Sequence, residues 1–239
     1  DKSALAKLDK GMIRLVKTDN YPTKIQPRNK EQRFAMDLLF DQSVKLVTVT
    51  GKAGTGKTLL SIAAGLEQVL SMHRYKSLVV CRPVQPVGKD IGFLPGTLEE
   101  KLEPWTAPIK DNLRFLLSQD GKKTKRGEET LEMLFEDGTI EVEAMAFIRG
   151  RSIANAFLLV DEAQQLSRHE LKTIITRVGE NTKIVLTGDI EQIDVSSLDA
   201  VTSGLSVAVD RFKDQTIAGH ITLTRGERSA LATLTSKLL

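Results

Sequence analysis

The chain has 239 residues, and at about 150 residues per domain this length predicts between one and two domains. Its hydrophobic content of 41% is ample for a core and excludes a disordered or collagen-like chain, while no run approaches the roughly 18 apolar residues of a membrane helix. The 34 basic and 31 acidic residues leave a net charge of only +3, which by itself does not indicate a nucleic-acid-binding protein.

Residues 1–25 are expected to form a linker or an edge hairpin. The opening DKSALAKLDKG lacks the apolar core of a signal peptide. The single cysteine, Cys81, excludes an internal disulfide and favours a reducing, cytoplasmic environment, where we expect it to be packed in the core. Because the first residue is Asp1 rather than Met, we expect the chain to be a piece of a longer protein.

Apolar runs alternate with helical patterns from about residue 30 to the end. Most of these runs are continuous in aliphatic residues, as in strands that are buried on both faces of a parallel sheet. The alternation predicts an α/β fold with a mostly parallel sheet flanked by helices. The predicted strands are 46–50, 77–81, 140–144, 156–160, 183–187 and 220–224, and the predicted helices are about 57–71, 97–117, 167–179 and 199–211.

Two regions depart from this alternation. Residues 84–110 are rich in Pro and Gly and predict a structured loop that leads into a helix. Residues 119–130, QDGKKTKRGEET, carry four basic residues between turn-forming neighbours. A solvated surface loop is the favoured interpretation of this run, and contact with a phosphate backbone is the alternative.

The segment GKAGTGKT at residues 51–58 matches the Walker A pattern G-x-x-x-x-G-K-[ST], directly after a predicted strand and at the start of a predicted helix. Glycines let backbone N–H groups turn towards phosphates, and the helix N-terminus adds partial positive charge. We expect Lys57 to bridge the β- and γ-phosphates and Thr58 to ligate Mg²⁺. The alternative, a glycine-rich turn with a chance lysine, is disfavoured by both flanking elements. The predicted nucleotide-binding residues of this loop are Gly51, Lys52, Ala53, Gly54, Thr55, Gly56, Lys57 and Thr58.

Two consecutive acids, Asp161 and Glu162, end the apolar strand AFLLV. In open α/β sheets ligands bind at the carboxyl ends of strands, so these acids can face the phosphate-binding loop. We expect Asp161 to hold Mg²⁺ and Glu162 to polarise the attacking water. A helix N-cap is the alternative, but capping explains only one of the two acids.

The segment KIVLTGDIEQ repeats this design, since an apolar strand ends at Thr187 and is followed by Gly188 and Asp189. The short spacing from Asp161 predicts that the two strands are neighbours. We expect Gln192 to sense the γ-phosphate. Together the three strand ends predict a nucleoside-triphosphate hydrolase, and the absence of an N-K-x-D tetrapeptide disfavours a GTPase.

The pairing of DEAQ with GDIEQ resembles superfamily 1 helicases, and the closer resemblance is to the PhoH-like ATPase family. It covers nearly all of residues 26–239 in four blocks that occur in the family's order. These are CRPVQPVGKDIGFLPGTLEEKLEPW (81–105), FIRGRSIANAFLLVDEAQ (147–164), LTGDIEQID (186–194) and GHITLTRGERSALATL (219–234). The resemblance implies a RecA-like P-loop NTPase domain with a single lobe over residues 26–239, which uses ATP and Mg²⁺.

The segment PRNKEQ (27–32) resembles the helicase Q motif. The resemblance implies that Gln32 contacts adenine through paired hydrogen bonds, with Asn29 in support, since a glutamine amide matches the adenine edge. Without the family, an exposed glutamine on the first helix is an equally good interpretation.

Several arginines also match the family. The resemblance implies that Arg82, with the segment from Pro83 to Gly92–Gly96, approaches nucleic acid, and that Arg149 and Arg151 contact phosphates or RNA. It also makes Arg228 a candidate arginine finger, with Arg225 as the fallback, because arginine offers a fixed charge and a planar fork of donors. A surface salt bridge is the alternative for each.

A single lobe lacks the second surface that a superfamily 1 motor uses, so we expect a homo-oligomeric ring, with a hexamer among the possible arrangements. Family members of this type often carry an N-terminal PIN ribonuclease domain, which we expect upstream of this chain. Single-stranded or structured RNA is the expected partner, in the cytoplasm and without a membrane.

Three functions remain open from the sequence. The first is an ATP-dependent RNA remodelling motor, although the chain has only two Tyr and one Trp for base stacking. The second is a nucleotide-gated switch or assembly module with slow ATP hydrolysis and no unwinding. The third, a small-molecule P-loop kinase, is disfavoured because kinases do not need the GDIEQ block. The three histidines, His73, His169 and His220, are interpreted as surface or strand-edge residues.

Overall fold

A computed structural model describes residues 4–9, 11–16, 21–83, 98–118, 125–145 and 152–226. Its strands are β1 (Ala6–Asp9), β2 (Met12–Leu15), β3 (Leu46–Gly51), β4 (Ser77–Arg82), β5 (Ile140–Ala144), β6 (Ala156–Val160), β7 (Lys183–Gly188) and β8 (Ala218–Leu223). Its α-helices are α1 (Lys30–Phe40), α2 (Lys57–Leu66), α3 (Leu98–Leu117), α4 (Lys125–Glu136), α5 (Arg168–Ile175) and α6 (Gly204–Phe212). A π-helical turn, Glu67–Ser71, extends α2, and a 3-10 turn, Ala163–Gln165, follows β6.

The central sheet has six strands in the order β5-β4-β6-β7-β3-β8, and every neighbouring pair is parallel. The predicted α/β class is therefore confirmed. Strands β6 and β7 are buried along their whole length, as expected of central parallel strands that helices cover on both faces.

The sheet separates two hydrophobic cores, because successive side chains of a strand point to opposite faces. Phe157 of β6 packs in one core with residues of α1, α2, α3 and α4, whereas the next residue, Leu158, packs in the other core with α5 and α6. Helices cover both faces of the sheet. The carboxyl ends of the strands are therefore the edge at which loops can form a site.

The strand order brings three of these ends together. Strand β7 lies between β6 and β3, with Leu186 opposite Val160 on one side and Thr50 opposite Gly188 on the other. The prediction that the Asp161 strand and the Asp189 strand are neighbours is confirmed. The phosphate-binding loop and both acidic segments consequently emerge side by side.

The structure corrects the prediction of a surface loop over residues 119–130. Helix α4 begins at Lys125 and ends at Glu136, so residues 125–130 are helical, and residues 119–124 lie outside the described part. The prediction failed because it rested on the basic residues of this run alone. The apolar residues that give the helix its buried side, such as Leu131, come after that run.

The predicted helices and strands otherwise differ at their ends. Helix α5 ends at Ile175 rather than near 179, and α6 begins at Gly204 rather than near 199. Strand β8 begins two residues earlier than predicted, at Ala218. Tertiary contacts decide such ends more than local propensity does.

The first segment forms an antiparallel hairpin, β1–β2, that is separate from the central sheet. Lys7 attaches it to α1 through Asp37 and Asp41, at 2.6 and 3.0 Å. Its opposite face exposes Leu8 and Ile13. In the part of the chain that the structure describes, no helix combines the length and apolar character needed to cross a membrane.

Candidate nucleotide site

The phosphate-binding loop connects the end of β3 to the start of α2. Gly51, Gly54 and Gly56 have φ values of 145°, 80° and 91°, a region that favours glycine. A β-carbon at Gly51 would also collide with the carbonyl oxygen of Leu223 on β8. These glycines therefore let the loop curl tightly at the N-terminus of α2, where backbone N–H groups can bind an anion.

The side chain of Lys57 folds over this loop. Its Nζ donates hydrogen bonds to the carbonyl oxygens of Gly51 and Lys52, the latter at 3.0 Å. The ammonium group thus lies at the loop, as a phosphate-binding lysine must. The neighbouring Lys52 is exposed and pairs with Glu191 at 2.9 Å.

The carboxylate of Asp161 lies against the first turn of α2. Its Oδ1 accepts hydrogen bonds from the hydroxyls of Thr58 and Thr187, both at 2.7 Å, and the residue is 4% exposed. The structure therefore brings together the two residues predicted to hold Mg²⁺. A carboxylate and a hydroxyl oxygen suit this hard cation, which usually keeps water and phosphate as its other ligands.

The carboxylate of Glu162 is held at both oxygens. Oε1 lies 3.4 Å from a guanidinium nitrogen of Arg82, and Oε2 accepts a 2.6 Å hydrogen bond from Nε2 of Gln164. Glu162 itself has a left-handed backbone, with φ 54°, and its side chain makes no capping bond to the following turn. The alternative of a helix N-cap is therefore wrong for the 3-10 turn at residues 163–165: Glu162, at the cap position, makes no side-chain capping bond, and Asp161 accepts from Thr58 and Thr187 instead.

The loop after β7, residues 189–194, contacts both other parts of the site. The Asp189 carboxylate accepts a hydrogen bond from the backbone N–H of Ala53 at 3.1 Å. The side chain of Gln192 is exposed, but its carbonyl accepts hydrogen bonds from Gln164 and Gln165, at 3.1 and 3.0 Å. The structure thus joins this loop to the phosphate-binding loop, while sensing of the γ-phosphate by Gln192 stays a prediction.

Gln32 lies beside the phosphate-binding loop. It is 4% exposed, so the interpretation as an exposed helix residue is wrong. Its Oε1 accepts from the N–H of Arg28 at 2.7 Å and its Nε2 donates to the carbonyl of Thr55 at 3.0 Å, while Asn29 caps α1. An amide has two N–H groups and two lone pairs, so these bonds use one of each. Contact with adenine stays a prediction.

Comparisons with known proteins show the family of this chain. A model of the family described as PhoH-like protein matches residues 24–236. The chain belongs to this family. Protein PhoH2 of Bacillus subtilis (strain 168) is 53% identical over 226 residues, which are 95% of this chain and 50% of the relative. Protein PhoH2 of Mycolicibacterium smegmatis is 38% identical over 228 residues, with the same shares.

This PhoH-like chain spans about half the length of the curated relatives it matches. Among solved structures, a crystal structure of Pif1 helicase from Candida albicans has a TM-score of 0.39 at 17% identity, over 84% of this chain and 40% of that one. An arterivirus nonstructural protein 10 (helicase) has a TM-score of 0.43 at 15% identity, over 84% and 41%. Family and site geometry together identify a P-loop NTPase fold.

The structure describes two of the predicted arginines, Arg82 and Arg225. Arg82, at the carboxyl end of β4, lies beside Glu162, so it belongs to the site itself. Arg225 is exposed just after β8. Arg149, Arg151, Arg228 and the segment Gly92–Gly96 lie outside the described residues. The prediction for Cys81 is confirmed, since the thiol is fully buried and burial raises its pKa.

Sequence reasoning missed two side chains of the PhoH-like site. Thr187 ends an apolar strand, and its hydroxyl is the second donor to Asp161. Gln164 is the last letter of DEAQ, and its amide contacts Glu162. A polar residue within an apolar run was an available signal for Thr187, because a buried hydroxyl needs a partner. The partner of Thr187, Asp161, lies 26 residues away in the sequence and could not be predicted from the local pattern.

Proposed function

We propose that this PhoH-like chain is a Mg²⁺-dependent ATP hydrolase that couples turnover to RNA binding and unwinding as a cytoplasmic homo-oligomer. One observation carries the ATP hydrolysis in this proposal: the Thr58 hydroxyl of the phosphate-binding loop donates to the Asp161 carboxylate at 2.7 Å. This contact joins the two halves of a P-loop hydrolase site, which come from separate strands. Both halves are needed for hydrolysis, and a phosphate-binding loop alone would support only binding.

Binding of the triphosphate is assigned to the loop at residues 51–58. Its N–H groups and the N-terminus of α2 would bind the β-phosphate, and Lys57 would exchange its carbonyl contacts for the β- and γ-phosphates. Thr58 and Asp161 would hold Mg²⁺, which when bound neutralises charge on the phosphate oxygens.

Hydrolysis is assigned to Glu162. Its carboxylate would orient a water molecule and accept its proton as the water oxygen bonds to the γ-phosphorus. The bond from the γ-phosphorus to the bridging oxygen breaks, and ADP leaves with the electron pair. Arg82 and Gln164 hold the carboxylate in place. Gln192 would sense the γ-phosphate, and Gln32 would contact adenine.

The RNA and oligomer parts of the proposal are supported by sequence resemblance and by the single sheet. Arg82, Arg149 and Arg151 are proposed to face RNA, and Arg228, with Arg225 as the fallback, would act as an arginine finger from a neighbouring subunit. A ring of such subunits supplies the second surface that one lobe lacks. In a longer protein, a PIN ribonuclease domain upstream would cleave the RNA that this domain unwinds.

A nucleotide-gated switch or assembly module is the second candidate. The hydrogen bond and the ion pair between the loop after β7 and the phosphate-binding loop favour this candidate. Through these contacts, nucleotide binding can change the position of the loop after β7 without any unwinding. Such a module would hydrolyse ATP slowly and would not respond to RNA.

The test is phosphate release from Mg·ATP by the purified chain, with and without single-stranded RNA, at several protein concentrations. Lys57→Ala should abolish release, whereas Lys45→Ala, an exposed lysine at the opposite end of β3, should not. RNA-stimulated release, with unwinding of a labelled RNA duplex, supports the motor. Phosphate release at the same rate with and without RNA supports the nucleotide-gated switch. A phosphorylated product other than inorganic phosphate would indicate a kinase, and no release at any concentration would refute ATP hydrolysis.

A further inference from the structure

The amide of Gln164 connects two parts of the site that are separate in sequence. Gln164 is fully buried. Its Nε2 donates to Oε2 of Glu162 at 2.6 Å and to the carbonyl of Gln192 at 3.1 Å, and its Oε1 accepts from the N–H of Asp189 at 3.2 Å. One side chain therefore holds the proposed water-activating carboxylate and both sides of the turn at residues 189–192.

Only an amide can make this set of contacts. Both groups near Nε2 are acceptors, a carboxylate and a carbonyl, and the group near Oε1 is an N–H donor, so the orientation of the amide is determined by its neighbours. A carboxylate at this position would offer no donor to Glu162, and an apolar side chain would offer neither. The Asp189 N–H is buried, so leaving it without an acceptor would cost free energy, which makes this contact specific.

The backbone of β7 is adapted to this side chain. A β-carbon at Gly188 would collide with Oε1 of Gln164 and would lie 2.6 Å from Cδ2 of Leu205. The glycine therefore allows the amide to reach the N–H of the next residue, Asp189. This explains physically why a glycine precedes the acid in the GDIEQ segment.

The contacts of Gln164 connect Glu162 indirectly to the phosphate-binding loop. The loop after β7 that Gln164 holds is itself bonded to that loop, through Asp189 with the N–H of Ala53 and through Glu191 with Lys52. We propose that Gln164 is a positioning residue, which sets the carboxylate of Glu162 according to the position of the loop at residues 189–192. Occupancy of the phosphate-binding loop would thereby reach the group that activates water. This inference rests on the proposed ATP hydrolysis.

Two variants and one matched control test it. Gln164→Met keeps the volume and removes every polar contact. Gln164→Glu, in its ionised form, keeps the acceptor for the Asp189 N–H, removes the donor to Glu162 and adds a like charge beside that carboxylate. Gln165→Met is the control, because the neighbouring glutamine also donates to the Gln192 carbonyl but to Asp194 rather than Glu162.

The measurements are kcat and KM for Mg·ATP, the Kd for ATP by titration, and hydrogen exchange of the Asp189 amide by NMR. Both Gln164 variants should lose about 100-fold in kcat, the scale of a small misplacement of a reacting group, with Kd nearly unchanged. Asp189 exchange should accelerate in Gln164→Met and stay slow in Gln164→Glu. Gln165→Met should keep most of its kcat.

The inference is overturned if Gln164→Met keeps the wild-type kcat, if Gln165→Met loses as much, or if the loss appears in Kd alone. Unchanged Asp189 exchange in Gln164→Met would also overturn it, because the loop would then not depend on the amide. If the wild-type protein itself releases no phosphate, the proposed function fails. The exchange measurement would then still decide whether Gln164 holds the loop.

Discussion

The hydroxyl of Thr187 donates a hydrogen bond to Oδ1 of Asp161 across the neighbouring strands β7 and β6. The same oxygen accepts from Thr58 in the first turn of α2, so one hydroxyl from a strand and one from a helix fix a single carboxylate. Thr187 is fully buried, which shields its bond from water. The orientation of the proposed metal ligand is thus set jointly by β7 and by the start of α2.

Thr187→Val should lower ATP turnover by roughly 10- to 100-fold, the range for residues that orient a metal ligand. It should lower the free energy of unfolding by about 1.5–3 kcal/mol, since it removes a hydrogen bond to a charged group. Steady-state kinetics and urea denaturation check this. Thr50→Val is the matched control, because that strand hydroxyl contacts Thr222 rather than a carboxylate. Equal kinetic losses in both variants would contradict the role of Thr187.

Gly51→Ala should destabilise the protein more than Gly138→Ala. Both glycines have positive φ, so both substitutions strain the backbone by roughly 1–2 kcal/mol. At Gly138 no atom lies within 4 Å of the added carbon, whereas at Gly51 it collides with the Leu223 carbonyl and must separate β3 from β8. Chemical denaturation of the two variants measures the difference. Equal free energies of unfolding would show that β3 and β8 leave room for a β-carbon between Gly51 and the Leu223 carbonyl.

Gln32→Met should raise the KM for ATP more than the KM for GTP, because the proposed bonds to adenine are lost. Lys30→Met is the control, since it places the same new side chain at an exposed position of the same helix. Competition between the two nucleotides in phosphate release is the measurement. If both KM values rise alike, Gln32 acts only by holding the Thr55 carbonyl, and it does not select the base.

Lys183 should make stability depend on pH. Its ammonium is fully buried beneath three carbonyls, of Leu38, Asp41 and Val44, and burial lowers its pKa from 10.5 to about 7. Between pH 7 and 10.5 the unfolded chain therefore binds a proton that the folded chain does not. The free energy of unfolding should rise with pH in this window, by at most about 1.4 kcal/mol per pH unit.

Lys183→Met isolates this contribution, because other titrating groups cancel in the comparison. Urea denaturation of both proteins from pH 6 to 10 should show the wild type gaining stability relative to the variant above pH 7. A difference that stays constant with pH would mean that the three carbonyls keep the lysine charged in the folded state.

The fold was largely predictable because continuous aliphatic runs leave few alternatives to buried parallel strands. The prediction was wrong at Lys125, where α4 begins within a basic run that is also typical of a surface loop. It also left open whether Gln32 is exposed. Its burial depends on how α1 packs beside the phosphate-binding loop, which is not encoded by the local pattern.

The sequence by itself determined the chemistry available at each strand end: the glycine-rich loop with Lys57, the acids Asp161 and Glu162, and the segment after Thr187. These are local patterns, in which the required residue types are adjacent in the chain. Only the tertiary structure decided which side chains meet, since the contacts of Arg82 with Glu162 and of Ala53 with Asp189 join residues 80 and 136 positions apart. Such pairings depend on the strand order, and the order is fixed by packing across the whole sheet rather than by any segment of it.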